Sequence, residues 1–284
     1  MTINIPDFCE FTLNPSDVSF CEILKNEGSA PREIGAWMLV KRSGQTLGTI
    51  GGGQLEFKLM EQLKDQDWSV NFKYKTETIL GPEIGQCCGG KVLLSVKKLN
   101  QNLRAKLLMR LEEQLSYFPQ VLIFGAGNIG VSLAYQMDYL PLKVKLIDNR
   151  EKYILNLGGS FEKKFCLLPE QQVRDASPDT AFIIVTHDHG LDFMLCHEVL
   201  IRNDSSYVGM IGSKSKKGVL ANWLRKKGIN NFNKVKIPIG KTFLDSKDKR
   251  PEIISAYIIS EMLFYLEMNN KSFNQVLNNP VLGD

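Results

Sequence analysis

The sequence predicts an α/β protein in which a smaller N-terminal α+β domain precedes a C-terminal domain built on a parallel sheet. Two patterns predict this class. After residue 120, apolar runs alternate with helical stretches, as in parallel βαβ units. Before residue 100, short strand-like runs are separated by glycine-rich turns. With 284 residues, 43% of them hydrophobic, the chain is long enough to form two cores.

The N-terminal domain is predicted to span residues 1–100. A hairpin leads through a triple-glycine turn into a helix that begins near Gln54. The leucines of that helix share one face, which favours burial against a sheet. The predicted strands are residues 34–40, 46–50, 70–80 and 91–96.

Residues 101–118 form a predicted connecting helix, because leucines recur along one face until Pro119 ends the helix. Residues 119–284 form the second domain. Its predicted strands are residues 121–124, 144–147, 182–185 and 207–211.

Composition narrows the function classes. The 35 basic and 31 acidic residues are interspersed and leave a net charge of +4, which does not indicate a nucleic-acid-binding protein. The sequence shows neither a secretory signal nor a run long enough for a membrane span, so a cytoplasmic protein that contacts no membrane is expected. Six cysteines in a chain of this length do not form a dense disulfide framework, and we expect them to be reduced.

A glycine loop follows the first strand of the second domain. Gly125, Gly127 and Gly130 have the G-x-G-x-x-G spacing between an apolar strand and a predicted helix, which indicates a Rossmann-like domain. Gly125 allows the tight turn, Gly127 lets a phosphate approach and Gly130 permits close helix packing, while Asn128 lies at the helix start. The alternative is a turn that only joins strand to helix.

Asp148 ends the next predicted strand, where an acidic residue accepts hydrogen bonds from a ribose 2′-hydroxyl. Arg150 lies two residues further on, where it suits a 2′-phosphate. The pair leaves NAD, NADP and other phosphate ligands open.

Polar residues also follow two later strands, at the edge of the sheet where ligands bind. His187, Asp188 and His189 are candidates for acid/base catalysis, ligand orientation or metal binding, with helix capping as the alternative. Ser213 and Lys214 suit a phosphate at a helix N-terminus. Lys216 and Lys217 are expected to be solvated surface residues.

Two glycine-rich turns of the first domain are further candidates. Gly52 and Gly53, at a helix start, are candidates to cradle an anion, or they form a simple turn. Cys87 and Cys88 lie between pairs of glycines, and thiolates bind soft metals or carry sulfur. Adjacent cysteines that only pack are the alternative.

Several of these segments, in this order, resemble the XdhC/CoxI family, the accessory proteins of xanthine dehydrogenase and related molybdenum hydroxylases. The resemblance covers nearly the whole chain. It rests on residues 27–36, 48–56, 80–90, 125–130, 186–189 and 209–214. Asn128 stands where the family often has histidine, and residues 241–249 are more charged than the glycine-rich segment expected there.

The resemblance implies a chaperone rather than an enzyme. Such a protein binds the molybdenum cofactor (molybdopterin), supports its sulfuration by a cysteine desulfurase and inserts it into apo xanthine dehydrogenase. It also implies that Cys87 or Cys88 lies near molybdenum or sulfur, and that the Gly125 loop lies near the phosphate or nucleotide part of the cofactor. A homodimer is expected.

The rival hypothesis is an NAD(P)-dependent oxidoreductase, in which the Gly125 loop and Asp148 bind the nucleotide and His187 to His189 supply acid/base groups.

Overall fold

The protein is described by a computed structural model that covers residues 3–29, 32–80, 89–230, 232–242 and 247–269. The chain divides into two compact units, the first extending to Tyr117 and the second beginning at Phe118.

An antiparallel sheet of five strands forms the centre of the first unit, in the order β3-β2-β1-β5-β4. Its strands are β1 (Val18–Glu27), β2 (Trp37–Lys41), β3 (Thr46–Gly48), β4 (Lys73–Ile79) and β5 (Lys91–Lys98). Its helices are α1 (Ile5–Phe11), α2 (Gly53–Lys64) and α3 (Gln101–Ser116). The leucines of α2 pack on one face of this sheet, while α1 and α3 pack on the other.

Strand β1 was not predicted, although it is the central strand of this sheet. Cys21 packs in the core beneath α2, and Phe20 packs in the core beneath α3. A strand that is buried on both faces loses the alternation by which a half-buried strand is recognised. Its last residues, Lys25, Asn26 and Glu27, are polar and conceal it further.

A parallel sheet of six strands forms the second unit, in the order β11-β10-β9-β6-β7-β8. Its strands are β6 (Gln120–Phe124), β7 (Lys143–Asp148), β8 (Glu162–Phe165), β9 (Ala181–Ile184), β10 (Tyr207–Met210) and β11 (Val235–Lys236). Its helices are α4 (Asn128–Met137), α5 (Glu170–Arg174), α6 (His189–Arg202), α7 (Lys214–Lys226) and α8 (Pro251–Asn269). The predicted α/β class and Rossmann-like sheet are confirmed.

Helices cover both faces of this parallel sheet. In β6, Val121 and Ile123 face the core that α4 and α8 close, whereas Leu122 and Phe124 face the core under α5, α6 and α7. Burial on both faces explains why β6 reads as a continuous apolar run. The strand order reverses between β6 and β9, and the carboxyl ends of these two strands form the usual ligand crevice of such sheets.

Helix α3, the predicted connecting helix, packs on the sheet of the first unit. Leu107 and Leu111 lie in the same core as Phe8 and Phe20. Its role as a link between domains stays a prediction. Across the described ranges, none of the helices combines the length and apolarity needed to cross a membrane.

Candidate functional site

The candidate site lies where the strand order reverses, at the carboxyl ends of β6 and β9. The glycine loop follows β6, and residues 185–188 follow β9. A small crevice between the two loops is lined by Gly125, Asp148, Thr186 and His187, among others. The sequence-predicted candidates of these loops therefore meet at one edge of the sheet.

The three glycines of the loop have different packing. Gly125 has a φ of +111°, and a Cβ there would lie 2.5 Å from the carbonyl oxygen of Val185. At Gly130 a Cβ would lie 1.8 Å from the carbonyl oxygen of Gly125. At Gly127, in contrast, a Cβ would meet no atom within 4 Å. Gly125 and Gly130 are thus required by packing, while Gly127 leaves open space beside the backbone.

Helix α4 begins at this open position. Gly127 is its N-cap, and within the described part of the chain no side chain caps the helix. The first intrahelical bond runs from the amide of Val131 to the carbonyl of Gly127. The exposed Asn128 occupies the first helical position. The amides at the start of α4 and the positive end of its dipole therefore suit an anion such as a phosphate.

Asp148, at the end of β7, is closely engaged by its neighbours. Its Oδ2 accepts a hydrogen bond of 2.6 Å from the amide of Ala126, and Arg150 donates to both carboxylate oxygens at 2.9 and 2.8 Å. Burial raises the pKa of Asp148, but the bonds from Arg150 and from the amide of Ala126 outweigh it and lower the pKa overall. A ribose hydroxyl would have to displace Arg150 to reach this carboxylate, so the ribose and 2′-phosphate roles stay predictions.

Asp188, which lies between the two histidines of the loop after β9, caps helix α6. The Oδ1 of Asp188 accepts bonds from the amides of Gly190, at 2.7 Å, and Leu191, at 3.2 Å, and so caps α6. These two bonds lower the pKa of Asp188. His187 and His189 are exposed beside it. Their acid/base role stays a prediction, and within the described ranges no group of three potential metal ligands exists.

Sequence reasoning missed a buried ion pair at the same edge. Asp192 of α6, fully buried, accepts bonds from the hydroxyl of Thr186 at 2.6 Å and from the Nζ of Lys216 at 2.5 Å. The expectation that Lys216 is a solvated residue is wrong, because its side chain is only 11% exposed and Asp192 compensates its charge. Both residues lie in the first turns of helices that follow adjacent strands, a placement that would have indicated their proximity.

Ser213, Lys214 and Lys217 are exposed around the start of α7. The Oγ of Ser213 accepts a bond of 3.2 Å from the amide of Lys216 and so caps the helix. Phosphate binding by Ser213 and Lys214 stays a prediction.

The triple-glycine turn of the first unit already holds an anion of the chain itself. The Oε1 of Glu56 accepts bonds from the hydroxyl of Thr49 and from the amides of Ile50 and Gly52, at 2.6, 3.0 and 2.8 Å. An external anion would compete with this carboxylate for the amide of Gly52. Anion binding by Gly52 and Gly53 stays a prediction, as does any role of Cys87 and Cys88, which lie outside the described residues.

The fold and its glycine turn define an α/β protein with a C-terminal Rossmann domain. A family model for the XdhC Rossmann domain matches residues 121–262, half of the chain, and a model for the XdhC and CoxI family matches residues 16–66. The chain belongs to the XdhC/CoxI family.

Two individual proteins are similar to it. The uncharacterized protein YqeB of Escherichia coli (strain K12) is 24% identical over 259 residues, which cover 86% of this chain and 43% of that protein. The chain thus spans less than half the length of that curated relative. A crystal structure of a protein named as a xanthine dehydrogenase from Bacillus halodurans superposes with a TM-score of 0.76 at 17% identity, covering 95% of this chain and 99% of that one. At this identity the likeness shows the fold.

Proposed function

We propose that the protein is an accessory factor of a xanthine dehydrogenase-type molybdenum hydroxylase. It binds the molybdenum cofactor as cargo, supports the sulfuration of the cofactor by a cysteine desulfurase and inserts it into the apo-enzyme, acting as a homodimer. Membership of the XdhC/CoxI family supports an accessory role associated with xanthine dehydrogenase.

The observation that carries this proposal is the open position at Gly127. Molybdopterin ends in a phosphate, and a phosphate needs backbone N–H donors and room to approach them. The start of α4 supplies both, since no described side chain caps it and no atom lies within 4 Å of a Cβ at Gly127. The surrounding glycines cannot be replaced without a clash, so the loop presents these donors in a fixed geometry.

The test is to purify the protein from cells that make molybdopterin and to measure bound pterin by fluorescence and bound molybdenum by elemental analysis. Gly127→Asp places a carboxylate where the phosphate approaches, and like-charge repulsion is expected to reduce bound pterin by about tenfold or more. Gly218→Asp is the matched control, because a Cβ at Gly218 on the exposed surface of α7 also meets no atom within 4 Å.

The absence of pterin and molybdenum from the wild-type protein, with normal xanthine dehydrogenase activity in a deletion strain, would remove the proposal. Binding of NAD(H) or NADP(H) with substrate turnover would instead support the oxidoreductase hypothesis. That hypothesis requires Asp148 to exchange Arg150 for a ribose hydroxyl.

Two buried cysteines supply an internal reference for the proposed thiol role. Burial raises the pKa of the thiols of Cys21 and Cys196 to about 12, so both are almost entirely protonated near neutral pH. We expect iodoacetamide to alkylate Cys87 and Cys88 in the folded protein much faster than these two, as measured by mass spectrometry.

If Cys87→Ala and Cys88→Ala proteins, singly and together, still carry and transfer sulfurated cofactor normally, the thiol role is wrong.

A further inference from the structure

A second cavity lies on the carboxyl side of β10, within the Rossmann unit. Its volume is about 610 Å³, within the usual range for small-molecule sites. Its apolar lining comprises Ile211, Pro238, Ile239, Ile254 and Tyr257. The glycine loop belongs to β6, and β9 separates β6 from β10, so the two strand ends are about 10 Å apart.

One wall of this cavity is fixed by a buried carboxylate. Glu261 of α8, only 1% exposed, accepts bonds from the amides of Gly240, at 3.2 Å, and Thr242, at 2.8 Å. It also accepts a hydrogen bond of 2.6 Å from the hydroxyl of Tyr207, and burial together with this carboxylate raises the pKa of Tyr207 well above its ordinary value. The segment that contributes Pro238 to Lys241 is therefore held in place without a ligand, as a preformed site requires.

The charged lining of the cavity is positive. Lys241, Lys247 and Lys249 contribute to the lining, and Asp248 is the acidic residue among them. Arg250 donates to both oxygens of Asp248, which offsets that negative charge. An apolar floor beneath a cationic rim matches a ligand that combines a ring with an acidic group.

We propose that this cavity binds a small organic anion, a phosphate or carboxylate attached to a ring. Lys247 and Lys249 meet the acidic group, and Ile211, Ile254 and Tyr257 pack against the ring. This site goes beyond the proposed function, since it uses neither the start of α4 nor the cysteine-bearing turn. Helix α8, which contributes Ile254 and Tyr257 to the lining, also contacts α4, where Ser255 donates to the carbonyl of Ile129 at 3.3 Å.

The experiment uses the full chain and the fluorescent aromatic sulfonate 8-anilinonaphthalene-1-sulfonate as the probe. Lys247→Glu/Lys249→Glu is expected to weaken binding of the dye by about tenfold or more, because two attractive charges become repulsive. Lys226→Glu/Lys227→Glu is the matched control and should bind normally. It makes the same charge change at exposed positions at the far end of α7.

Displacement of the dye then defines the ligand class. Phenyl phosphate or benzoate should displace it at least about tenfold better than benzyl alcohol or inorganic phosphate, since the site needs both a ring and a charge. Whichever of phenyl phosphate and benzoate displaces the dye at the lower concentration shows whether the site prefers a phosphate or a carboxylate. Equal displacement by all four compounds would overturn the proposal. An unchanged affinity for the dye in the Lys247→Glu/Lys249→Glu protein would overturn it as well.

Gly127→Asp separates this site from the proposed function. The variant is expected to lose bound pterin and to retain the dye. Loss of the dye as well would assign the dye to the glycine loop and overturn the second site. Retention of both ligands would remove the role of Gly127 and leave the cavity proposal standing.

Discussion

The two glycine-rich turns of this protein look alike in sequence and differ in what fills them. Each follows a strand and begins a helix, one at Gly51 to Gly53 and the other at Gly125 to Gly130. In the first, Glu56 places one carboxylate oxygen on two backbone amides and a hydroxyl. In the second, Asp148 accepts a hydrogen bond from the amide of Ala126 alone among the amides of the loop. A Cβ would meet no atom of the described residues within 4 Å at either Gly52 or Gly127, so the two turns differ in which amides are occupied rather than in free space.

The difference teaches that a glycine turn before a helix keeps its own amides occupied when a carboxylate of the chain lies within reach. Backbone amides at a helix N-terminus need acceptors, and a nearby carboxylate satisfies them as well as a ligand does. Glu56, in the first turn of helix α2, occupies the amides of Ile50 and Gly52 in the glycine turn, whereas among the described residues no side chain caps the start of α2 itself. The carboxylate beside the second glycine turn belongs to Asp148, on the neighbouring strand β7. It accepts the amide of Ala126, which precedes Gly127, and does not reach the start of α4.

The largest expected effect is a difference in unfolding free energy between substitutions at two glycines of the second turn, Gly130 and Gly127. Gly130→Ala puts a methyl group against the carbonyl oxygen of Gly125, where a Cβ would lie 1.8 Å away, and should cost about 3 kcal/mol or more of unfolding free energy. Gly127→Ala meets no atom within 4 Å and should cost less than about 1 kcal/mol, the loss of a glycine N-cap. Urea unfolding of both variants measures this. Equal costs would contradict the packing described for the loop.

A smaller effect is expected from removing the carboxylate of Glu56 from the first glycine turn. Glu56→Ala leaves the amides of Ile50 and Gly52 without their acceptor and should cost about 2 kcal/mol in urea unfolding. Glu61→Ala on the same helix removes only an exposed pair with Lys64 and should cost about 0.5 kcal/mol or less. Added sulfate should then stabilise the Glu56→Ala protein more than the wild type, because the vacated amides of Ile50 and Gly52 can donate hydrogen bonds to it. A Glu56→Ala protein as stable as the control would refute the comparison.

The smallest effect concerns pH. The folded-state pKa of Asp148 lies below its ordinary value of 3.8, so its stabilising contribution is present above that value and is lost as the pH falls through the folded-state pKa. Asp148→Asn removes this titration. The wild type should therefore lose more unfolding free energy than the variant between about pH 5 and about pH 2, measured by urea unfolding. An identical loss in both proteins would show that Asp148 is not stabilised as an anion.

Much of the Rossmann unit was predictable because its signals are local. The apolar run of β6, the glycine spacing and the start of α4 are contiguous, and a parallel strand buried on both faces reads as an unbroken hydrophobic segment. Strand β8, with the sequence Glu-Lys-Lys-Phe, was not predicted, because an edge strand carries charges that resemble a loop. Strand β1 escaped prediction for a different reason, since Ser19 and Glu22 interrupt its apolar run and the helices α2 and α3 that bury its faces are distant in sequence.

The residues of the candidate site also divide into those that the sequence predicted and those that it did not. Gly125, Gly127 and Gly130 were found because their spacing reports backbone geometry directly. The pair of Asp192 and Lys216 was not found, and Lys216 was assigned to the solvent, because only the packing of α6 beside α7 brings the two side chains together. The cavity beyond β10 was not predicted, because its lining combines residues 211–212 with residues 238–241 and with residues between 247 and 257, which only the fold brings together.

By itself the sequence determined the fold class, the family resemblance and the presence of two glycine turns, because these depend on patterns within short stretches of chain. The tertiary structure decided in which turn a carboxylate of the chain occupies more of the backbone amides. That outcome depends on where Glu56 and Asp148 place their carboxylates, and a hydrogen bond between a side chain and a distant amide is fixed by the fold rather than by the residue types.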